Sequence, residues 1–283
     1  MKWPSKILNS ALRIPNSAFL MSVITLTSDF GNSDSYVAQM KGVILAINPA
    51  VRIVDVTHSI PPQDVPRAAA VLEDIVPAFP AGTIHVVVVD PGVGSQRRLL
   101  AAEAAGQKIL APDNGTLSLL FCRWPPTAIR ELTCDRFWRQ PVSATFHGRD
   151  VLAPTAAHWS LGADLAEFGP AVARDFLVPL QISRPHRHAG VLVGRVEFAD
   201  SFGNLITNIA ETDLAGADVQ VSVAGRKICG LARCYAEQPA GTLLTLIGSS
   251  GRLEIAVNRG SAAHELAIGG GAEIRVESGA PGA

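Results

Sequence analysis

No charge of one sign dominates this sequence: 24 lysines and arginines stand against 25 aspartates and glutamates in 283 residues. Such a balance leaves no electrostatic footprint for a phosphate backbone or an anionic membrane, so nucleic acid and membrane are set aside as partners. Cysteine is sparse and unpatterned. Cys122, Cys134, Cys229 and Cys234 form no CxxC pair and lack the histidine spacing of a zinc site, so they read as buried, reduced thiols suited to a cytoplasmic location. No apolar run is long enough to span a membrane, and neither repeats nor low-complexity tracts occur. The stretch Met1 to Leu20 holds Lys2, Lys6 and Arg13 but no acid, and it has no apolar core of a signal peptide. Residues 1–21 are therefore expected to be a disordered extension or the product of an upstream start codon.

What is present describes a globular chain with 48% hydrophobic and 17% charged residues, enough for one or two domains with ample core. Strand "VITLTSD" precedes a helix with Tyr36, Met40, Val43, Ile44 and Ile47 at helical spacing. Strand "RIVDVTH" precedes a second helix, N-capped by Asp64, with Val65, Ala69, Leu72, Val76 and Phe79 along one stripe. Strand "TIHVVVVD" follows. This βαβαβ alternation predicts an α/β domain over 22–181 with a mainly parallel sheet, and ligands beyond the carboxyl ends of its strands. Periodicity stops at "ISRPHRHAG", read as a linker over 182–190. Beyond it, "VLVGRVEFA", "VQVSVAG", "TLLTLIG", "RLEIAVN" and "AEIRVES", separated by glycine-bearing turns, predict an all-β domain over 191–283.

The polar residues gather at the strand ends. Val86 to Arg98 reads "VVVVDPGVGSQRR": a strand buried on both faces delivers Asp90, two glycines and two arginines. The pattern lacks the GK[ST] of a Walker loop and the GxGxxG of a dinucleotide fold, so Gly92 and Gly94 are read as allowing a sharp turn and a close approach to a ligand. "SDFGNSD" places Asp29 and Asp34 around a glycine turn. Its spacing is not that of a calcium loop, and no metal site is expected. The two carboxylates suit vicinal hydroxyls or an ammonium group, with helix capping the alternative for Asp34. "APDNG", with Asp113 and Asn114, is either a tight turn or a wall of the site. His147 in "TFHGRD" is the best general-base candidate of the seven histidines; His85 in mid-strand and His186 and His188 in the linker are discounted. In "DSFGNLITNI", Phe202 beside Asn204 is either core or a surface for stacking on a purine and bonding its edge. Ser249 and Ser250 lie in another turn.

Taken together, "TSDFGNSDSYVAQMKGVI", "VVVVDPGVGSQRR", "APDNG", "TFHGRD", "DSFGNLITNI" and "LEIAVN" resemble the S-adenosyl-L-methionine (SAM) hydrolases, or SAM hydroxide adenosyltransferases, in order from about Val23 to the end. The same superfamily holds SAM-dependent fluorinases and chlorinases. The resemblance implies an N-terminal α/β domain, a C-terminal β-barrel and a homotrimer with SAM between the N-terminal domain of one subunit and the barrel of its neighbour. It implies a catalytic triad of Asp90, Arg97 and His147. It also implies that Asp29 holds the ribose hydroxyls, Asp34 and Ser249 contact the methionine moiety, and Asn204 with Phe202 grips adenine; Asp200 and Phe146 complete the substrate-binding set. The halide-binding serine of the halogenases aligns with Gly148, and their arginine beside Ser249 is Ser250 here.

The implied reaction is in-line attack of water or hydroxide on the ribose C5′ carbon, giving adenosine and L-methionine with SAM as substrate and no cofactor. Hydroxide and sulfonium cancel charge in the transition state, which a dry, aligned pocket favours. Water, with a pKa of about 15.7, needs a positioned base where no metal lowers it, and either Asp90 or His147 can serve. A SAM-dependent halogenase and a non-catalytic SAM or adenosine sensor are the alternatives.

Overall fold

The computed structural model describes residues 22–278 except 182, 215 and 217, so the expected extension at 1–21 lies outside the described residues. Two compact units meet in the sequence between Leu180 and Gln181. Among the described residues no helix is long and apolar enough to cross a membrane.

The N-terminal unit runs β1 (Val23–Ser28), α1 (Tyr36–Ile47), β2 (Arg52–Thr57), α2 (Val65–Ile75), β3 (Ile84–Val88), β4 (Leu99–Ala104), β5 (Gln107–Pro112), α3 (Ser118–Arg123), β6 (Ala128–Glu131) and α4 (Ala153–Ser160). Strand order is β2-β1-β3-β5-β4-β6. The first four pair in parallel, as the alternation predicts. β4 runs antiparallel to both β5 and β6, so the sheet is mixed rather than simply parallel. The reason is local: Ala105 and Gly106, with φ of 54° and 72°, join β4 to β5 in a two-residue turn, which only an antiparallel pair accepts.

β3 is the central strand, and its valines alternate between two cores. Val86 and Val88 pack with Met40 and Ile44 of α1 and Ala156 and Trp159 of α4. Val87 and Val89 pack with Ala68 and Leu72 of α2 and Leu120 and Phe121 of α3. Burying such a run on both faces fixes its register, and hence the place where Asp90 emerges. Asp64 caps α2 by accepting the Arg67 N–H at 2.9 Å. That helix ends at Ile75 rather than near Phe79, with a 3₁₀ turn over Val76–Ala78, because Pro77 has no N–H to continue the ladder.

The C-terminal unit contains β7 (His186–His188), β8 (Val191–Ala199), β9 (Leu205–Ala210), β10 (Val219–Val223), β11 (Arg226–Cys229), β12 (Leu243–Ile247), β13 (Arg252–Val257), α5 (Ala262–Leu266) and β14 (Glu273–Ser278). Its main path is β11-β10-β14-β8-β9-β13-β12, with β7 paired to β8. β7 lies within the segment read as a linker. All named ladders are antiparallel, and a single bridge from Ala232 to Leu246 brings the chain after β11 back to β12, so the sheet curls into a nearly closed barrel. Its inside is one apolar cluster, including Val196, Leu205, Ile209, Val221, Leu253, Ile255 and Ile274. The cysteines are free thiols, but Cys122, Cys229 and Cys234 are exposed rather than buried, because they sit on an outer helix face, an edge strand and a turn.

Candidate active site

Asp90 follows the buried end of β3, and the chain turns back twice at once: Val93 N–H donates to the Asp90 carbonyl at 3.2 Å and Ser95 N–H to the Gly92 carbonyl at 3.0 Å. The double turn returns Arg97 onto Asp90. Arg97 Nε donates to Oδ1 and Oδ2 of Asp90, each at 3.0 Å, and Nη2 also reaches Oδ2. The same Nη2 lies 2.9 Å from Nδ1 of His147. Arg97 therefore joins an acid and an imidazole far apart in sequence into one cluster at the carboxyl end of the sheet.

Two glycines let the His147 segment dock there. A Cβ on Gly94 (φ +79°) would stand 2.5 Å from the Ala144 carbonyl oxygen, and one on Gly148 would stand 2.8 Å from Cγ1 of Val88. The close approach made by Gly94 is thus to the His147 segment. A serine at position 148 has no room without moving β3 or the His147 turn. Asp150, fully buried, ties the same segment down. Its carboxylate accepts from Arg139 Nη1 at 3.0 Å, from Arg149 Nε and Nη2 at 2.7 and 2.8 Å, and from the Ser143 N–H at 2.9 Å. Burial, and then the Arg97 charge, push the His147 pKa below its ordinary value, while the carboxylates of Asp90 and Asp150 oppose the shift. The imidazole is neutral near pH 7.

"APDNG" supports this cluster from behind. Asp113 accepts from Arg98 Nε at 2.9 Å, and Asn114 Nδ2 donates to the Val89 carbonyl at 2.8 Å, fixing the residues that flank Asp90 and Arg97. At the end of β1, Asp29 Oδ2 accepts the Gln63 N–H at 2.8 Å. Asp34 is exposed and does not cap α1, whose N-cap is Ser35 with no side-chain capping bond. Phe146 is buried edge-on against Phe30 and Tyr36, with ring centroids 5.6 and 5.3 Å away. It packs the Asp29 turn against the His147 segment.

In the C-terminal unit, Asp200 is consumed by its own turn. Oδ1 accepts the N–H groups of Phe202 and Asn204 at 2.9 and 2.8 Å, and Oδ2 accepts from Asn204 Nδ2 at 2.9 Å. That clamp buries Asn204 and thrusts Phe202 outward, 77% exposed, so the core alternative for Phe202 is excluded. Ser249 is exposed on the turn before β13. Sequence reasoning missed Glu254 of β13 and its partner Tyr235, whose hydroxyl donates to Glu254 Oε2 at 2.9 Å. Burial first, and the nearby Asp200 charge, raise the Glu254 pKa, although the Tyr235 bond opposes this. Burial and Glu254 together push the Tyr235 phenol up to about 12. Glu254 sits mid-strand, and no local motif marks it. Among the described residues, no group of three or more His, Cys, Asp or Glu side chains is arranged to hold a metal ion.

Comparison with known proteins places the chain in a family. Residues 24–169 match the SAM hydroxide adenosyltransferase N-terminal domain, and residues 194–275 match its C-terminal domain. The chain is 40% identical to an (R)-S-adenosyl-L-methionine hydrolase of Salinispora arenicola, covering 90% of this chain and 98% of that one. A fluorinase of Actinoplanes is 32% identical over 70% of this chain and 74% of its own. The fold superposes with a TM-score of 0.83 on the crystal structure of an uncharacterized conserved protein from Thermotoga maritima, 34% identical, covering 90% of this chain and 99% of that one. The chain belongs to the SAM hydroxide adenosyltransferase family.

Proposed function

We propose that this enzyme hydrolyses S-adenosyl-L-methionine to adenosine and L-methionine, by attack of a water oxygen on C5′ opposite the sulfonium. The observation that carries this reading is the cluster in which Arg97 hydrogen-bonds both Asp90 and His147. A guanidinium only donates, so Nδ1 of His147 accepts and the neutral ring keeps its hydrogen on Nε2. His147 is thereby a donor, placed to orient a water but not to deprotonate it. Asp90 is the base. Its Oδ1 accepts a single bond from Arg97 and keeps a lone pair, so it takes the proton as the new C–O bond forms and free hydroxide need not accumulate. The C5′–S bond electrons leave with neutral methionine, and Asp90 returns its proton to solvent.

Around that cluster we assign Asp29 to the ribose hydroxyls, Asp34 and Ser249 to the methionine moiety, and Phe202 with Asn204 to adenine. Phe146 and Asp200 act by shaping these surfaces. In this reading the domains are 22–181 and 191–283 joined by 182–190, and the protein is a cytoplasmic homotrimer that needs no cofactor. A neighbouring subunit supplies the C-terminal residues of each site. Incubation with SAM and a large excess of chloride is expected to yield adenosine. Formation of 5′-chloro-5′-deoxyadenosine would make the protein a halogenase, and tight SAM binding without turnover would make it a sensor.

A further inference from the structure

A hydrogen-bond chain runs from the surface inward behind the Asp29 turn, exposed at Asp55, partly exposed at Lys41 and buried at His58 and Ser28. Lys41 Nζ donates to Asp55 Oδ2 at 2.5 Å, His58 Nε2 lies 3.1 Å from Asp55 Oδ1, and His58 Nδ1 lies 2.8 Å from Ser28 Oγ. An ionised carboxylate only accepts, so His58 carries a hydrogen on Nε2, and in the neutral ring the Ser28 hydroxyl donates to Nδ1. Every bond in the chain therefore has a fixed direction. Burial alone would raise the Asp55 pKa, but the bonds from Lys41 and His58 outweigh it and hold the carboxyl below its ordinary value.

Serine, histidine and aspartate linked in this way also build acyl-transfer nucleophiles. Ser28 is not placed for that role, because it is only 2% exposed and no carbonyl carbon can approach it. What it does reach is the turn. Ser28 immediately precedes Asp29, and the Phe30 N–H points back at Ser28 Oγ at 3.4 Å. Two residues beyond Asp29, the Gly31 N–H donates to the His58 carbonyl at 2.7 Å. His58 thus grips both sides of Asp29, through its ring before it and its backbone after it. The same β2–α2 connection supplies the Gln63 N–H that holds Asp29 Oδ2, with Gln63 kept at φ +66°. A non-glycine residue adopts that conformation only when its surroundings enforce it. Among the described residues no group donates to Oδ1, which is left to accept from a ligand.

We propose that Lys41, Asp55, His58 and Ser28 form a positioning chain that fixes the Asp29 carboxylate against a ribose diol and makes the site selective for ribonucleosides over deoxyribonucleosides. The proposal rests on the assignment of Asp29 to the ribose. The test is calorimetric binding of adenosine and 2′-deoxyadenosine to the full-length protein and to Asp29→Ala, Ser28→Ala and Lys41→Met. Wild type is expected to prefer adenosine by about tenfold or more, the size of one hydrogen bond to a charged acceptor. Asp29→Ala is expected to abolish the preference, Ser28→Ala to reduce it below about threefold, and Lys41→Met to narrow it about twofold. A merely structural role would weaken both nucleosides alike and leave their ratio intact. If Asp29→Ala keeps the wild-type ratio, the ribose assignment itself is wrong. If Asp29→Ala loses the ratio while Ser28→Ala and Lys41→Met both keep it, the positioning chain is wrong. Should Ser28→Ala not fold, Lys41→Met at the outer end of the chain decides alone.

Discussion

Replacing Asp90 by asparagine is expected to lower kcat for SAM hydrolysis by about 10²- to 10⁴-fold, the contribution of a positioned general base. Asparagine keeps the shape of the side chain and a carbonyl oxygen for Arg97, which holds Asp90 through Nε at 3.0 Å. What it loses is the capacity to take a proton. Substrate affinity should change little, because Asp90 is assigned to the attacking water rather than to the nucleoside, and the loss should therefore fall on kcat rather than KM. Single-turnover adenosine formation under saturating SAM measures this directly. Near-normal kcat in Asp90→Asn would remove Asp90 from the role of base.

The second large effect is expected on folding. Asp150 is fully buried and satisfies Arg139, both donors of Arg149 that face it, and the Ser143 backbone. In addition, the Arg139 N–H donates to the Asp150 carbonyl at 2.8 Å, so one residue closes the loop that carries His147. Asp150→Ala takes the carboxylate from Arg149, which keeps its Nη1 bond to Gln39 Oε1 at 2.8 Å, and because both arginines reach solvent the loss should cost about 1.5–3 kcal/mol. In a unit of this size that corresponds to a fall in Tm of about 5 °C, read by calorimetry. Burial pushes the Asp150 carboxyl up, but the bonds from Arg149, Ser143 and Arg139 outweigh it and hold its pKa below the ordinary value. The stabilisation is therefore complete above the unfolded carboxylate pKa of about 3.9 and is lost as pH falls through the folded value. Wild type should accordingly show a steeper acid loss of Tm than Asp150→Ala, and equal slopes would mean that the carboxylate is not held ionised by its arginines.

How much of this was legible in the sequence depended on the range over which each signal acts. The four valines before Asp90 announce a strand buried on both faces, and both cores confirm it. β4 was invisible. Its sequence, LLAAEA, has no β-branched residue, and only the sheet around it makes it a strand. Asp90 and Arg97 lie seven residues apart across a glycine turn, so their pairing is a local event. His147 joins them from fifty residues away, a convergence that spacing cannot reveal and that the family resemblance alone implied. Residues that act by supporting others left no trace: Ser28 reads as the end of an apolar strand, Glu254 as a polar position on another, and Asp150 as a neighbour of the histidine. Asp200 shows the converse, since its carboxylate is spent on three donors within its own turn.

The central claim is that a water held by Asp90, Arg97 and His147 attacks the ribose carbon bonded to sulfur. Turnover of SAM in H₂¹⁸O, followed by mass analysis of both products, tests it most directly. One ¹⁸O atom in adenosine, at the 5′ oxygen, with unlabelled methionine, is the predicted result; adenosine formed without label would contradict it.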